Sequence, residues 1–246
     1  MRSFSQVFPV FKPVIGVIHL KGKTPEEILT RAQEEISAYV SGGLNGVLIE
    51  NYFGHYFDME RVLNWLQANP LPVPLGVNVL GHDAMGFELA KKYSVQFMQV
   101  DSVIGHVSER NEKTLEAFFD LYRSRVDVCL IGGVRFKYQP VLSKRSLKED
   151  LLDATKRCDA ICVTGDATGQ ETDLKKIREF RSILPDFPLI VGAGTTKDNI
   201  SAQLKYCDGA IVGSTFKDSR KDTGDVSLAF VQEFMQAVEA CRKEYQ

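Results

Sequence analysis

The chain has 246 residues, of which 44% are hydrophobic, and its formal net charge is -2. This length fits one large domain or two small ones, and the near-neutral charge gives no electrostatic basis for binding nucleic acid or an anionic membrane. The five cysteines are odd in number and lack the spacing of a metal or redox motif, which favours buried, reduced thiols in a cytoplasmic protein.

The N-terminal segment has an apolar part that Pro9, Lys12 and Pro13 interrupt, and no small-x-small cleavage site follows it. We therefore expect residues 1–13 to lead into the first strand rather than to act as a signal peptide. No stretch approaches the roughly 18 consecutive apolar residues that a membrane-spanning helix requires. The sequence thus predicts no integral membrane segment.

Eight short apolar segments recur along the chain. Most are rich in Val and Ile and almost continuously apolar, the pattern of parallel strands that are covered on both faces. The segments are 14–19, 46–51, 74–79, 96–101, 127–134, 159–164, 188–194 and 209–214.

Helical patterns lie between these segments. Residues 24–27 (TPEE) read as a capping box with proline at the first helical position, and residues 146–149 form a second capping box. Asp58 and Asp83 are candidate N-caps of two further helices. Residues 227–241 form an amphipathic pattern that predicts a C-terminal helix.

Eight strands that alternate with helices in a chain of this length predict a single (β/α)8 TIM barrel over residues 1–246. The alternative is a doubly wound open sheet, which has fewer strands and a glycine-rich turn after the first one. Here the first turn reads HLKGKTPEE and contains no G-x-G-x-x-G motif. We therefore predict the barrel, and with it a functional site at the carboxyl ends of the strands.

Four side chains at these strand ends have the chemistry of catalytic groups. Glu50 is followed by aromatic residues that could raise its pKa to that of a general base, or it could hydrogen-bond loop amides instead. Asp101 is a second acid–base candidate or an anchor for sugar hydroxyls. Lys137 could form a Schiff base, stabilise an oxyanion or lie solvated in its loop. His19 could shuttle a proton, take a metal or be purely structural.

Four more residues at the strand ends are candidates for contacting the substrate. Asn78 suits a hydroxyl or carbonyl group of a ligand, and Asn51 follows Glu50 directly. Thr164 and Gly165 end the sixth strand. Residues 163–173 after this strand contain two glycines, which favours either a lid over a bound ligand or an ordinary loop.

The last two strands end in matched glycine- and hydroxyl-rich turns. Glycine lets backbone N–H groups approach a ligand, and the loops after strands seven and eight are a frequent phosphate site in barrels. The alternative is that the glycines only permit tight turns. We predict a phosphate site formed by Gly192, Gly194, Thr195, Gly213 and Ser214. No cluster has strong metal-ligand spacing, so we predict neither a metal nor a cofactor.

The chain contains six longer motifs in this order: IGVIHL, GGLNGVLIENYF, PLGVNVLGHDA, DAICVTGDATGQETD, GAGTTKDN and DGAIVGSTFK. With these motifs the chain resembles the BtpA/SgcQ family. The resemblance implies a (β/α)8 barrel related to the ribulose-phosphate-binding barrels. It assigns no motif position an established catalytic role. The chain departs from the family after strand five, where GGVRFKY keeps Lys137 but lacks the family's acid and histidine.

Two functions remain open at this point. The first is an enzyme that acts on a small phosphorylated metabolite such as a sugar phosphate, by isomerase or epimerase, aldolase or nucleosidase chemistry. The second follows from the resemblance, because the cyanobacterial namesake is tied to accumulation of photosystem I. It is a non-catalytic assembly factor that uses the barrel as a scaffold and the aromatic loop 51–57 as a docking surface. Barrels of this type commonly form homo-oligomers, so a homo-oligomer is possible with either function.

Overall fold

The computed structural model describes residues 2–105 and 111–245, and eight parallel strands within them close into a barrel. The barrel prediction is confirmed. Each strand pairs with its neighbours in chain order, and the first strand closes the ring against the last. The strands are β1 (Val14–Ile18), β2 (Gly46–Glu50), β3 (Leu75–Asn78), β4 (Phe97–Val100), β5 (Cys129–Gly133), β6 (Ala160–Thr164), β7 (Leu189–Gly192) and β8 (Gly209–Val212).

Helices surround the barrel and cover the outer faces of the strands, which is why the strands read as nearly continuous apolar runs. A 3-10 helix at Ser214–Phe216 follows β8. The α-helices are α1 (Phe4–Val7), α2 (Pro25–Ser41), α3 (Tyr56–Ala68), α4 (Asp83–Tyr93), α5 (Glu112–Arg123), α6 (Leu147–Ala154), α7 (Leu174–Ile183), α8 (Ile200–Leu204) and α9 (Leu228–Tyr245).

The predicted helix starts are right at two positions and wrong at two. Thr24 and Ser146 each accept a hydrogen bond from a backbone N–H in the first turn of their helix. The capping box is complete only at Ser146, because the Glu27 carboxylate accepts from the Lys23 N–H and not from that of Thr24. Asp58 is not an N-cap: His55 precedes α3, and the Asp58 carboxylate reaches back to accept a 2.9 Å hydrogen bond from the His55 N–H. Asp83 is likewise the first residue of α4.

The N-terminal segment closes one end of the barrel. Alternate strand residues such as Ile15, Leu48 and Phe97 point inwards and form an apolar interior. Helix α1 and the residue that follows it add Phe4, Val7 and Phe8 to this interior. The rings of Phe8 and Phe97 lie 5.1 Å apart. The sequence predicted only a lead-in here, and the short helix was missed. Because the amino end is filled, the cavity described below lies at the carboxyl end.

All five cysteines are free and buried, in agreement with the sequence prediction of reduced thiols. In the part of the chain that the structure describes, no helix combines the length and apolar character needed to cross a bilayer.

Candidate active site

The carboxyl end of the barrel carries a ring of side chains that continues the inward face of the strands. Because side chains alternate along a strand, residues two positions apart face the same side, and the residues at these ends share the inward face with strand residues such as Val17, Leu48 and Gln99. On one side of the ring these residues are polar, and on the other several are glycines. The ring consists of His19, Glu50, Asn78, Asp101, Gly133, Thr164, Gly192 and Gly213.

A cavity of about 50 Å³ lies at this ring, enough space for a few water molecules or a phosphate group. It collects most of the residues that the sequence predicts for the site. Asp101, Asn51, Asn78 and Gly165 do not line it. The predicted residues that do are His19, Glu50, Lys137, Thr164, Gly192, Gly194, Thr195, Gly213 and Ser214.

The turns after β7 and β8 come together on one side of the cavity. The Thr215 hydroxyl donates a 2.5 Å hydrogen bond to the Thr195 carbonyl and links the two turns. Among the hydrogen bonds of the described residues, none uses the backbone N–H groups of Gly194, Thr195, Ser214 or Thr215. The hydroxyl oxygen of Thr195 is also buried without a partner. The two turns therefore offer several hydrogen-bond donors to the same space.

The turn after β7 has an unusual backbone. Ala193 and Gly194 adopt positive φ angles of 63° and 60°, a region that disfavours residues other than glycine. A Cβ atom on Gly194 would lie only 2.2 Å from the carbonyl carbon of Gln170. The loop after β6 (165–173) thus packs directly on this turn, and its Thr168 and Gly169 form part of the cavity wall.

Opposite the turns, Glu50 belongs to a hydrogen-bonded group of four side chains. The Asn78 amide nitrogen donates to Glu50 Oε2 at 3.2 Å and to Asp101 Oδ1 at 3.1 Å. The Gln99 amide nitrogen donates to the same Asp101 oxygen at 3.1 Å. Asn78 therefore joins the two carboxylates that the sequence predicts as an acid–base pair, instead of presenting its amide to the cavity.

The environment of Glu50 raises the pKa of its carboxyl group from the ordinary 4.5 to about 7. Burial is the main cause, since removal from water penalises the charged form, and the charge of Asp101 adds to it. The charge of Lys137 and the hydrogen bond from Asn78 act in the opposite direction. A carboxyl group with this pKa exchanges protons readily near neutral pH.

His19 is held neutral at the edge of the cavity. Burial and the positive charge of Lys217 lower the pKa of its imidazole to about 4. The ring packs 4.9 Å from the ring of Tyr52 and lies over Gly213, where a Cβ atom would come within 3.4 Å of it. Its Nδ1 atom is buried without a hydrogen-bond partner. His19 can therefore exchange a hydrogen bond with a ligand but carries no charge at neutral pH.

Lys137 and Thr164 are connected to each other and to the loop after β6. The Lys137 N–H donates a 2.8 Å hydrogen bond to the Thr164 hydroxyl, and the Lys137 ammonium donates to the Thr168 hydroxyl at 3.2 Å. The Thr168 N–H in turn donates to the Tyr138 hydroxyl at 2.9 Å. These contacts fasten the loop over the cavity and bring a positive charge to its wall.

Two predicted substrate contacts have partners within the protein. The Asn51 side chain accepts a 2.7 Å hydrogen bond from the Leu80 N–H, so it holds the loop after β3. Gly165 faces the backbone of its own loop, because a Cβ atom there would lie 2.9 Å from the carbonyl oxygen of Gln170.

The sequence interpretation missed Gln99, Thr168 and Thr215. Gln99 had a signal: it lies two residues before Asp101 on β4 and therefore on the same inward face. Thr215 follows Ser214 directly, but its bond to the other turn depends on tertiary structure. Thr168 lies in a loop whose path no local pattern predicts. Within residues 2–105 and 111–245, no three His, Cys, Asp or Glu side chains come together as a metal site; the expectation of no metal stays a prediction.

Comparison with known proteins places these features in a family. The BtpA family model matches residues 10–240. Photosystem I biogenesis protein BtpA of Synechocystis sp. is 28% identical over 86% of this chain and 83% of its own length. The sgc region protein SgcQ of Escherichia coli is 22% identical over 99% of this chain and 100% of its own.

Among solved structures, phosphoribosyl anthranilate isomerase from Thermus thermophilus superposes with a TM-score of 0.63 over 93% of this chain and 98% of that one. At 10% identity this likeness concerns the fold alone. The match to the family model spans nearly the whole barrel, strand ends included, and the chain belongs to the BtpA family.

Proposed function

We propose that the protein is an enzyme that acts on a small phosphorylated metabolite and transfers a proton to or from it. The turns after β7 and β8 hold the phosphate group, and Glu50 is the general base. The observation that carries this proposal is that unpartnered backbone N–H groups and the Glu50 carboxyl group border one cavity.

The proposed phosphate site rests on backbone N–H donors that have no acceptor within the protein. Four backbone N–H groups, those of Gly194, Thr195, Ser214 and Thr215, make no hydrogen bond to a described residue. A phosphate group has three or more acceptor oxygens and can satisfy such a set, and oriented backbone amides are a recurrent anion site. Because Lys137 also lines the cavity, its positive charge favours an anionic ligand.

The proposed catalytic role rests on the Glu50 carboxyl group. A base works best when its pKa lies near the working pH, and the pKa of about 7 meets this condition. Asp101 accepts hydrogen bonds from two amides and raises the Glu50 pKa by its charge, so we assign it a positioning and electrostatic role. Isomerase or epimerase chemistry, which begins with proton abstraction, is the class that this arrangement supports best.

The loop after β6 has to move when a substrate enters. The cavity holds little more than a phosphate group, and Thr168 and Gly169 form part of its wall. In the proposed function the bonds of Thr168 to Lys137 and Tyr138 break to admit the substrate and form again over it.

A scaffold role of the kind named for the Synechocystis relative has one observation in its favour. Phe57 ends the segment 51–57 that the sequence predicts as an aromatic loop, but it lies in the first turn of α3, where it is 75% exposed. The same loop also serves the cavity, because Tyr52 packs on His19. If the protein is a scaffold, Phe57→Ala should weaken capture of its partner. If it is an enzyme, the same substitution should leave ligand binding unchanged.

Thermal unfolding with added ligands tests the enzyme proposal. Inorganic phosphate and a panel of sugar phosphates are added to the wild type and to Glu50→Gln. A ligand at one hundred times its Kd should stabilise the fold by about 2.7 kcal/mol in both proteins. Turnover of the stabilising compound should be lost in Glu50→Gln. If intact protein responds to no phosphorylated compound, the proposal fails.

A further inference from the structure

A buried glutamine at the floor of the cavity has only half of its amide paired. Gln99 lies on β4 beside Asn78, since the strand register sets Val77 opposite Met98. It is 4% exposed, lines the cavity, and donates through Nε2 to Asp101 Oδ1. Its oxygen, Oε1, is buried and has no hydrogen-bond partner.

The orientation of this amide follows from the chemistry of its neighbour. An ionised carboxylate only accepts hydrogen bonds. Turning the Gln99 amide over would place its oxygen 3.1 Å from Asp101 Oδ1, acceptor against acceptor, at the position that Nε2 now occupies. The nitrogen is therefore committed to Asp101, and the oxygen remains as the atom that can serve a ligand.

The Gln99 carbonyl oxygen favours ligands that carry a hydrogen-bond donor. It accepts a hydrogen bond and cannot donate one, so a complementary ligand has to bring a donor. The neighbouring Glu50 is also an acceptor when ionised, and Lys137 on the cavity wall is a donor. A ligand hydroxyl group fits these neighbours, because it can donate to the Gln99 oxygen while its own oxygen accepts from a donor such as Lys137. A phosphorylated compound without donors leaves the Gln99 oxygen buried and unpaired.

We propose that Gln99 is a specificity-determining residue that accepts a hydrogen bond from a hydroxyl group of the ligand, which makes the ligand a hydroxylated phosphate ester of the sugar-phosphate type. This inference rests on the proposed function and narrows its substrate class. Asp101 is the positioning residue for it, since it holds the Gln99 amide in the accepting orientation.

The test measures binding of inorganic phosphate and of two sugar-phosphate series by calorimetry. One series is ribose 5-phosphate with its deoxy analogues, and the other is glucose 6-phosphate with its deoxy analogues. In the wild type, removal of one particular hydroxyl should weaken binding about tenfold, the effect of one lost hydrogen bond. In Gln99→Met, which keeps the length of the side chain, the parent sugar and that deoxy analogue should bind equally.

Gln139→Met is the matched control. Gln139 also has a buried Oε1 without a partner, but it lines a different cavity, next to the loop after β5. This variant should discriminate between parent and deoxy compounds as the wild type does. Inorganic phosphate, which the proposed function places at the turns after β7 and β8, should bind all three proteins alike.

Two results would overturn the inference: no deoxy analogue binds the wild type more weakly than its parent, or Gln99→Met keeps the discrimination. If phosphate still binds in these cases, the proposed phosphate site stands and only the role of Gln99 falls. If inorganic phosphate and the sugar phosphates all fail to bind, both proposals fall together. Should Gln99→Met not fold, a crystal structure of the wild type with the tightest ligand decides, by whether a ligand hydroxyl lies about 2.8 Å from Gln99 Oε1.

Discussion

The hydroxyl group of Thr215 donates a 2.5 Å hydrogen bond to the backbone carbonyl of Thr195, and both residues are buried. This bond joins the turns after β7 and β8, which otherwise belong to separate strand–helix units. Beyond the backbone pairing of β7 with β8, this side-chain bond therefore helps to set the spacing between the unpartnered N–H groups of the two turns.

We expect Thr215→Val to weaken binding of inorganic phosphate about tenfold, because valine keeps the shape of threonine but leaves the Thr195 carbonyl without its donor. Isothermal calorimetry measures the Kd. Thr155→Val is the control, since the Thr155 hydroxyl also donates to a backbone carbonyl, that of Leu152 at 2.8 Å, but on α6. Equal affinities in Thr215→Val and the wild type would show that the link does not shape the site.

The second prediction concerns Gly194, which combines a positive φ with a close neighbour. Gly194→Ala places a methyl group against Gln170 and should displace the loop after β6. We expect a loss of about 3 kcal/mol in the free energy of unfolding and faster proteolysis within residues 165–173. Gly43→Ala separates the two causes: φ there is 86°, but no atom lies within 4 Å of the new Cβ.

Gly43→Ala should therefore cost only the backbone strain, about 1 kcal/mol. Equal losses in the two variants, measured by urea unfolding, would mean that the contact between the loop and the turn contributes nothing.

The third prediction follows from the raised pKa of Glu50. In the folded protein this carboxyl group keeps its proton up to about pH 7, whereas in the unfolded chain it releases the proton near 4.5. Between these values the folded state binds more protons, so raising the pH lowers the free energy of unfolding. The full effect is about 3 kcal/mol.

Glu50→Gln cannot titrate at this position. Its free energy of unfolding, measured by urea unfolding from pH 4.5 to 8, should therefore rise relative to that of the wild type by up to this amount. Turnover by the wild type should increase as the pH rises through 7, because the base acts in its ionised form. Parallel stability curves for the two proteins would contradict the buried, proton-holding environment of Glu50.

The fourth prediction has the opposite sign and concerns His19. Its pKa is lowered from 6.5 to about 4 in the folded protein, so the unfolded chain takes up a proton first when the pH falls. The stability that the neutral imidazole contributes is present above pH 6.5 and is lost as the pH falls through 4, by up to about 3 kcal/mol. In His19→Gln this dependence should be absent. An NMR titration of the His19 ring with a midpoint near 6.5 would contradict it.

The sequence predicts the barrel well because the relevant signals are local. Eight apolar runs with helical patterns between them determine the strand order, and the alternation along each strand places Glu50 and Asp101 at one end. The matched turns around Gly194 and Gly213 are visible for the same reason, since glycine and hydroxyl residues directly follow a strand.

What the sequence leaves open depends on contacts between distant segments. Asn78 is visible as a polar strand end, but only the structure brings its amide between Glu50 and Asp101. Asn51 has the same residue type and a similar position, yet it bonds the loop after β3. The two asparagines have different surroundings because Asn78 is in register with Glu50 and points into the barrel. Asn51 lies one position beyond Glu50 and therefore points away from the barrel interior.

The last prediction concerns the ion pair between Lys217 and Glu35, which ties the segment after β8 to α2. Lys217 Nζ contacts Glu35 Oε1, and both side chains are almost completely buried. Removing one partner from such a pair leaves a buried charge without compensation, and we expect Lys217→Met to cost about 4 kcal/mol in the free energy of unfolding.

The double variant Lys217→Met with Glu35→Leu removes both charges and should recover most of this loss. Because the charge of Lys217 lowers the His19 pKa, that pKa should also rise in the double variant, measured by NMR. A double variant no more stable than Lys217→Met would mean that the loss comes from packing rather than from the unpaired carboxylate.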